Sequence, residues 1–277
     1  MSLDLRLVPA RDGTTSRVLE GVVRAAIFVE PRPMVAHAPA AAIRVAPKAD
    51  AEQVDQLLFG EGFDILDEAD GFVWGQAWRD GYVGFVDAGA LSRAGEAPTH
   101  RVAAIRTYAF ADPSIKSLAL GPYSINSLLT AGERQGRFVH VPGTGWFVEG
   151  HLAAVGCFES DMAAVAERFL GAPYLWGGRE SLGLDCSGLV QQALFACGQA
   201  CPRDTDQQVS MGIGVDPLDL QRGDLVFWRG HVAIMLDHHR IIHANAHHMA
   251  VAIEPLAEAL SRIAAAGVGE PTAYRRP

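Results

Sequence analysis

The chain has 277 residues, 49% of them hydrophobic and 20% charged, a globular balance that excludes an intrinsically disordered protein. Its net charge of −9 gives little general attraction for nucleic acid or anionic membranes, which are held through Lys and Arg. The start, Met1-Ser2-Leu3-Asp4-Leu5-Arg6, lacks the features of a secretory leader, and no apolar stretch nears the roughly 20 residues of a spanning helix.

The expectations are therefore a cytoplasmic protein, a monomer, with no nucleic-acid or membrane partner. Residues 1–35 mix short apolar runs with Pro31 and Pro33 and read as a lead-in that wraps on a later domain. Ala36 to Ala42 is Ala-rich and reads as a linker. From there to about residue 94 the pattern is one of short strands. Phe63 and Ile65, then Phe72 and Trp74, alternate with polar residues, and Tyr82, Val83, Phe85 and Val86 follow an Asp80-Gly81 turn. Short strands with close turns predict a small barrel.

A loose second copy runs from about 101 to 153. Arg44, Pro47, Asp50, Gly81-Tyr82, Val86 and Leu91 are echoed by Arg106, Asp112-Pro113, Gly145-Trp146, Val148 and Leu152. The expected layout is a first barrel over 36–95, a second over 96–156 and a C-terminal domain over 157–277.

In that last region Ser160 is the expected N-cap of a helix with Met162, Val165 and Phe169 on one face, ended by Gly171. Pro173-Tyr174-Leu175-Trp176-Gly177-Gly178 reads as a rigid turn. Leu189, Val190, Ala193, Leu194 and Cys197 share a helical face. Strand-like runs follow at Leu225 to Trp228, Val232 to Leu236 and Arg240 to Ala244. A helix before strands implies an α+β domain.

The four cysteines are Cys157, Cys186, Cys197 and Cys201. In a cytosolic chain they are expected as thiols, and only Cys197 and Cys201 are close, so structural zinc is not expected. Cys186 follows Asp185, a natural N-cap, which puts the sulfur in a helix's first turn, where the dipole lowers a thiol pKa. Backbone N–H groups there can bind an oxyanion, although a buried cysteine at a helix start is also commonplace. His231 opens an apolar strand and is the candidate base. A hairpin turning near Asp237 to Arg240 would bring His243 beside it as the orienting group, with Asn245, Asp237 and His247 as alternatives. His238, His239, His247 and His248 read as an exposed turn, since no Cys or carboxylate completes a metal set.

Six segments in order carry a family resemblance. They are Pro173-Tyr174-Leu175-Trp176-Gly177-Gly178, then Asp185-Cys186-Ser187-Gly188, then Pro202-Arg203-Asp204-Thr205 with Gln207-Gln208. Gly223-Asp224-Leu225-Val226-Phe227, His231-Val232-Ala233-Ile234 and Ile242-His243-Ala244 complete them. Together they resemble the NlpC/P60 family of cell-wall cysteine peptidases. The resemblance implies a papain-like α+β catalytic domain preceded by two small SH3-like β-barrels. It assigns Cys186 as nucleophile, His231 as base and His243 as orienting residue, with no cofactor or metal.

The two preceding barrels resemble a subgroup that cleaves γ-D-glutamyl-diaminopimelate or γ-D-glutamyl-lysine bonds in peptidoglycan peptides with a free N-terminal L-alanine. By that resemblance Glu61, Tyr82, Tyr174, Asp185 and Ser187 bind the substrate, in keeping with the need of a buried ammonium for carboxylate partners. Lacking a leader, the chain fits members that degrade recycled wall peptides. Competing readings are an amidase or acyltransferase using the same Cys–His pair, and a non-catalytic wall-binding protein.

Overall fold

The computed structural model describes residues 3–277. The chain divides into two compact units, one up to Val155 and one from Gly156 onward.

In the first unit a seven-stranded sheet runs in the order Leu91–Arg93, Arg32–Ala36, Gly62–Ala69, Phe72–Ala77, Val83–Asp87, Ala40–Arg44 and Gln53–Leu58. Its curl encloses a core of Ile43, Leu57, Phe63, Ile65, Val73 and Val86. Phe63 and Ile65 face inward as their alternation predicts, whereas Phe72 and Trp74 pack on the other side of Val73 in a separate cluster with Leu66 and Phe85. Gly75 lies opposite Ile65, where a Cβ would come within 2.0 Å of the Asp64 carbonyl, so only glycine lets the strands approach there.

The expected Ala36–Ala42 linker does not exist. Ala36 ends one strand and Ala40–Arg44 forms another, and Ala36 and Ala41 are buried in the core. The lead-in is also shorter than expected, since Arg32–Ala36 already belongs to the sheet. What precedes it lies along this sheet: Val83 N–H donates to the Arg6 carbonyl, Gln76 to that of Leu7, and Arg11 stacks over Trp74 and Phe85.

The rest of the unit builds a five-stranded and a three-stranded sheet around Val102, Ala109, Tyr123, Leu129, Val141 and Phe147. The internal echo has a structural counterpart. Strand Val83–Asp87, a 3-10 turn Ala88–Ala90 and strand Leu91–Arg93 are matched by Gly145–Val148, Glu149–His151 and Leu152–Ala154.

The second unit is built on a six-stranded sheet, ordered Ile213–Gly214, Ala273–Arg276, Leu225–Trp228, His231–Met235, Arg240–Asn245 and Ala250–Pro255. Helices Met162–Glu167 and Cys186–Ala196 pack on its central strands. Helix Leu256–Ala265 buries Ala259 and Ile263 against Val226, Ala233, Met235 and Ile241. The first helix is capped not by Ser160 but by Asp161, whose carboxylate accepts from the N–H of Ala163 and Ala164 at 2.9 and 3.1 Å. It ends at Glu167, ahead of Gly171. Among the described residues no helix is long and apolar enough to cross a membrane.

Candidate active site

Asp185 caps the helix that begins at Cys186. One carboxylate oxygen accepts from Gly188 N–H at 2.8 Å and from the Ser187 hydroxyl at 3.2 Å, and the other from Gly177 N–H at 2.8 Å. The predicted rigid turn is thus tied to the helix start by one side chain. Arg203, buried to 1% exposure, grips the same carboxylate from Nη1 at 3.0 Å and Nη2 at 2.6 Å, and donates to Ser187 Oγ at 2.7 Å. Gln208 Nε2 donates to the Ser187 carbonyl at 3.1 Å. Arg203 and Gln208 belong to the third of the six segments, and these contacts are its physical reason.

Cys186 is 7% exposed. Its sulfur accepts from the backbone N–H of Val232, the residue after His231, and of Ser187. The expectation of a lowered thiol pKa is not met. Burial pushes the thiol up to about 12, and Asp185 adds to the rise, against the backbone N–H groups and the Arg203 charge. Desolvation outweighs the helix end. Tyr174 sits close by, its phenol raised by burial and by Cys186 and Asp185.

The hairpin expected for the two histidines is present. His231–Met235 pairs with Arg240–Asn245 in a register of Ile234↔Ile242 and Met235↔Ile241, which leaves His231 and His243 as diagonal neighbours on one face. His231 Nε2 lies 2.8 Å from His243 Nδ1. Burial pushes the His231 imidazole down to about 3, helped by His243 and Arg262 and opposed by Glu254. The Trp228 ring lies 5.7 Å from that of His231.

Two members of the cluster escaped sequence reasoning. His243 Nε2 lies 2.6 Å from Glu254 Oε1, and Arg262 donates to the same oxygen. Despite the cost of burial, His243 and Arg262 hold the Glu254 carboxyl down at about 2. The sequence signal was a single carboxylate in the apolar strand Ala250–Pro255, with Arg262 two turns along the next helix. The histidine-rich turn also differs from expectation, because a carboxylate does approach it. Ligand atoms of His243, His248 and Glu254 fall within 4.8 Å of one another, although His243 and Glu254 already engage each other and Arg262.

Of the other predicted residues, Glu61 and Tyr82 belong to the first unit. Glu61 is buried, accepting from Leu58 N–H at 3.0 Å and from Arg79 Nε at 2.8 Å. Tyr82 is buried beside the Asp80-Gly81 turn, its N–H donating to Asp80 at 3.1 Å.

Comparison with known proteins places this geometry in context. Residues 171–268 match the NlpC/P60 family and residues 43–91 the bacterial dipeptidyl-peptidase Sh3 domain. A γ-D-glutamyl-L-lysine dipeptidyl-peptidase of Bacillus cereus is 36% identical over 104 residues, which span 35% of this chain and 31% of that protein. The protein of that name in Bacillus subtilis is 43% identical over 68 residues, 24% of this chain and 23% of its own. The chain therefore spans about a third or less of these curated relatives. The crystal structure of an NlpC/P60 family protein from Bacillus cereus superposes with a TM-score of 0.76 at 21% identity, covering 88% of this chain and 99% of that one, a likeness of fold. A thiol at a capped helix start, an imidazole on the adjoining strand and the matched segments agree, and the C-terminal domain belongs to the NlpC/P60 family of cysteine peptidases, preceded in the chain by a bacterial dipeptidyl-peptidase Sh3 domain.

Proposed function

We propose that this protein is a cysteine endopeptidase that hydrolyses the bond between γ-D-glutamate and a diamino acid, diaminopimelate or lysine, in peptidoglycan peptides with a free N-terminal L-alanine. It acts as a cytoplasmic monomer on peptides recycled from the wall. The observation that carries the reading is the seating of the Cys186 sulfur at a helix start against the backbone that follows His231, with the far ring nitrogen of His231 held by His243. The names of the Bacillus relatives support the γ-D-glutamyl substrate.

On this reading Cys186 Sγ attacks the γ-glutamyl carbonyl carbon as its proton passes to His231 Nδ1. Backbone N–H groups at the helix start hold the oxyanion. The C–N bond breaks, the leaving amine takes the proton from His231, and a thioester remains. Water then attacks the thioester while His231 accepts its proton, and the thiol is restored.

The chain comprises a lead-in up to about residue 31, a first SH3-like barrel that begins with strand Arg32–Ala36 and runs to about 95, a second over 96–156, and a papain-like catalytic domain over 157–277. The repeated strand, 3-10 turn and strand supports the second barrel. Glu61, Tyr82, Tyr174, Asp185 and Ser187 serve substrate recognition, Asp185 acting through the turn it organises. The test is Cys186→Ala against L-Ala-γ-D-Glu-diaminopimelate. Turnover is abolished while the circular dichroism spectrum is kept; retained turnover rejects the reading. Acetylating the peptide's N-terminus raises KM if the amine is recognised.

A further inference from the structure

We infer that Glu254 is a positioning residue that sets the proton positions of both active-site histidines and so presents an unprotonated Nδ1 on His231 toward the nucleophile. The inference rests on the reading of His231 as the base.

The argument starts from the carboxylate. An ionised Glu254 can only accept hydrogen bonds, so at the 2.6 Å contact it is His243 Nε2 that donates. A neutral His243 with its proton on Nε2 has a lone pair on Nδ1. At the 2.8 Å contact between the rings His243 Nδ1 then accepts, and His231 Nε2 donates. A neutral His231 protonated on Nε2 has its lone pair on Nδ1, the nitrogen a base needs. Burial keeps both rings neutral at rest. One carboxylate, on the edge strand Ala250–Pro255, thus fixes a tautomer two strands away in the sheet.

The arrangement is built to hold. His243 is fully buried and Glu254 nearly so. The register His243↔Ala252 puts Glu254 diagonally beside His243 on the same face of the ladder. Arg262, from the helix that follows, keeps the carboxylate charged and fixes its rotamer. Without the carboxylate the ring pair can reverse. His243 Nδ1–H would donate to His231 Nε2, the proton of His231 would move to Nδ1, and no lone pair would face the thiol. As His231 becomes imidazolium during the reaction, Glu254 also stabilises the positive charge through His243.

The experiment reads the tautomers directly. Long-range ¹H–¹⁵N correlation spectra of histidine-labelled Cys186→Ala protein should show His231 and His243 both protonated on Nε2. Adding Glu254→Leu should move proton density to Nδ1 of both rings, whereas His248→Ala should not. In the protein with Cys186 intact, Glu254→Leu should lower kcat by about 10²- to 10⁴-fold, the range that a positioned general base contributes, with KM changed less than about threefold. Glu254→Gln, which keeps an acceptor oxygen, should recover part of the loss. A Nδ1–H tautomer at His243 with Glu254 present overturns the inference, even if the leucine variant does not fold. So does an unchanged kcat in a folded Glu254→Leu variant. Absence of peptidase activity in the unmodified protein would instead count against the proposed function and leave the tautomer measurement standing.

Discussion

Arg203 closes on Asp185 with both terminal nitrogens, at 3.0 and 2.6 Å, in surroundings where the two residues are 1% and 5% exposed. The pair fixes the residue immediately before Cys186. It also accounts for the fate of the Asp185 charge, which backbone N–H groups of Gly177 and Gly188 share. A carboxylate so fully engaged has little capacity left for another donor, and its contribution to the site is the geometry of the helix start.

Removing Arg203 therefore costs more than the ion pair it makes. Arg203→Met leaves a buried carboxylate without its counter-charge, a change typically worth about 3–5 kcal/mol of stability. Urea unfolding of the variant should show a lower midpoint with an unchanged slope. Arg203→Lys should recover only part, because one ammonium cannot reach both carboxylate oxygens and Ser187 in the same fork. An unfolding free energy for Arg203→Met within about 0.5 kcal/mol of the unmodified protein, the size of an ordinary surface change, would show that the pair does not hold the site.

Gly188 is a second point of tight construction. A Cβ there would lie 2.2 Å from the Gly178 carbonyl oxygen, and that atom is backbone in the turn tied to Asp185. Gly188→Ala must push the turn and the helix start apart, which costs about 1–3 kcal/mol as an overpacking strain and displaces Cys186. Both the melting temperature and turnover should fall. Gly150, whose added Cβ meets nothing within 4 Å, is the control: alanine there should leave both unchanged.

Acid should unfold the catalytic domain through its histidines. His231 is held down to about 3 and His243 is also lowered, both chiefly by burial. Between pH 6.5 and the folded-state values, the unfolded chain binds protons that the folded chain refuses, so stability is complete above 6.5 and is lost as pH falls below it. Glu254, held at about 2, adds a loss that begins near its ordinary value of 4.5 and continues downward. Each proton so linked is worth about 1.4 kcal/mol per pH unit. Urea midpoints at pH 7.5, 6 and 5 should fall for the unmodified protein and fall less steeply for His231→Gln. Parallel slopes would mean that His231 is not the group responsible.

How much of this was legible in the sequence depends on the range of the interaction. Asp185 before Cys186 is a local cap, and the His231–His243 pairing follows from a hairpin whose turn is marked by Asp237, so both could be placed from nearby residues. Glu254 lies beyond a further turn at Met249, and its meeting with His243 needs the register of a third strand, which no local pattern states. Arg262 needs in addition the packing face of a helix. Arg203 was visible as part of a segment but not as the partner of Asp185, 18 residues away. The Ala36–Ala42 stretch reads as a linker because alanine gives no contrast between inward and outward positions, although its small side chain suits a tightly curled sheet. The thiol's raised pKa is hidden from the sequence for a related reason: the sequence shows the helix end at which Cys186 sits, but not how completely the fold covers it.

That covering sets the last expectation. Alkylation requires the thiolate, and the Cys186 thiol is pushed up to about 12 while His231 is pushed down to about 3, so the resting pair is neutral thiol and neutral imidazole. Iodoacetamide should modify Cys186 more slowly than it modifies glutathione at pH 7, and the rate should climb about tenfold per pH unit through the alkaline range, following the thiolate fraction. Proton transfer to His231 then accompanies attack on the substrate carbonyl instead of preceding it. Mass spectrometry of the Cys186 peptide after timed exposure gives the rate. A fast reaction at pH 7 that stays level from pH 6 to 9 would mean a thiolate–imidazolium pair already formed at rest, and the step order drawn here would have to be reversed.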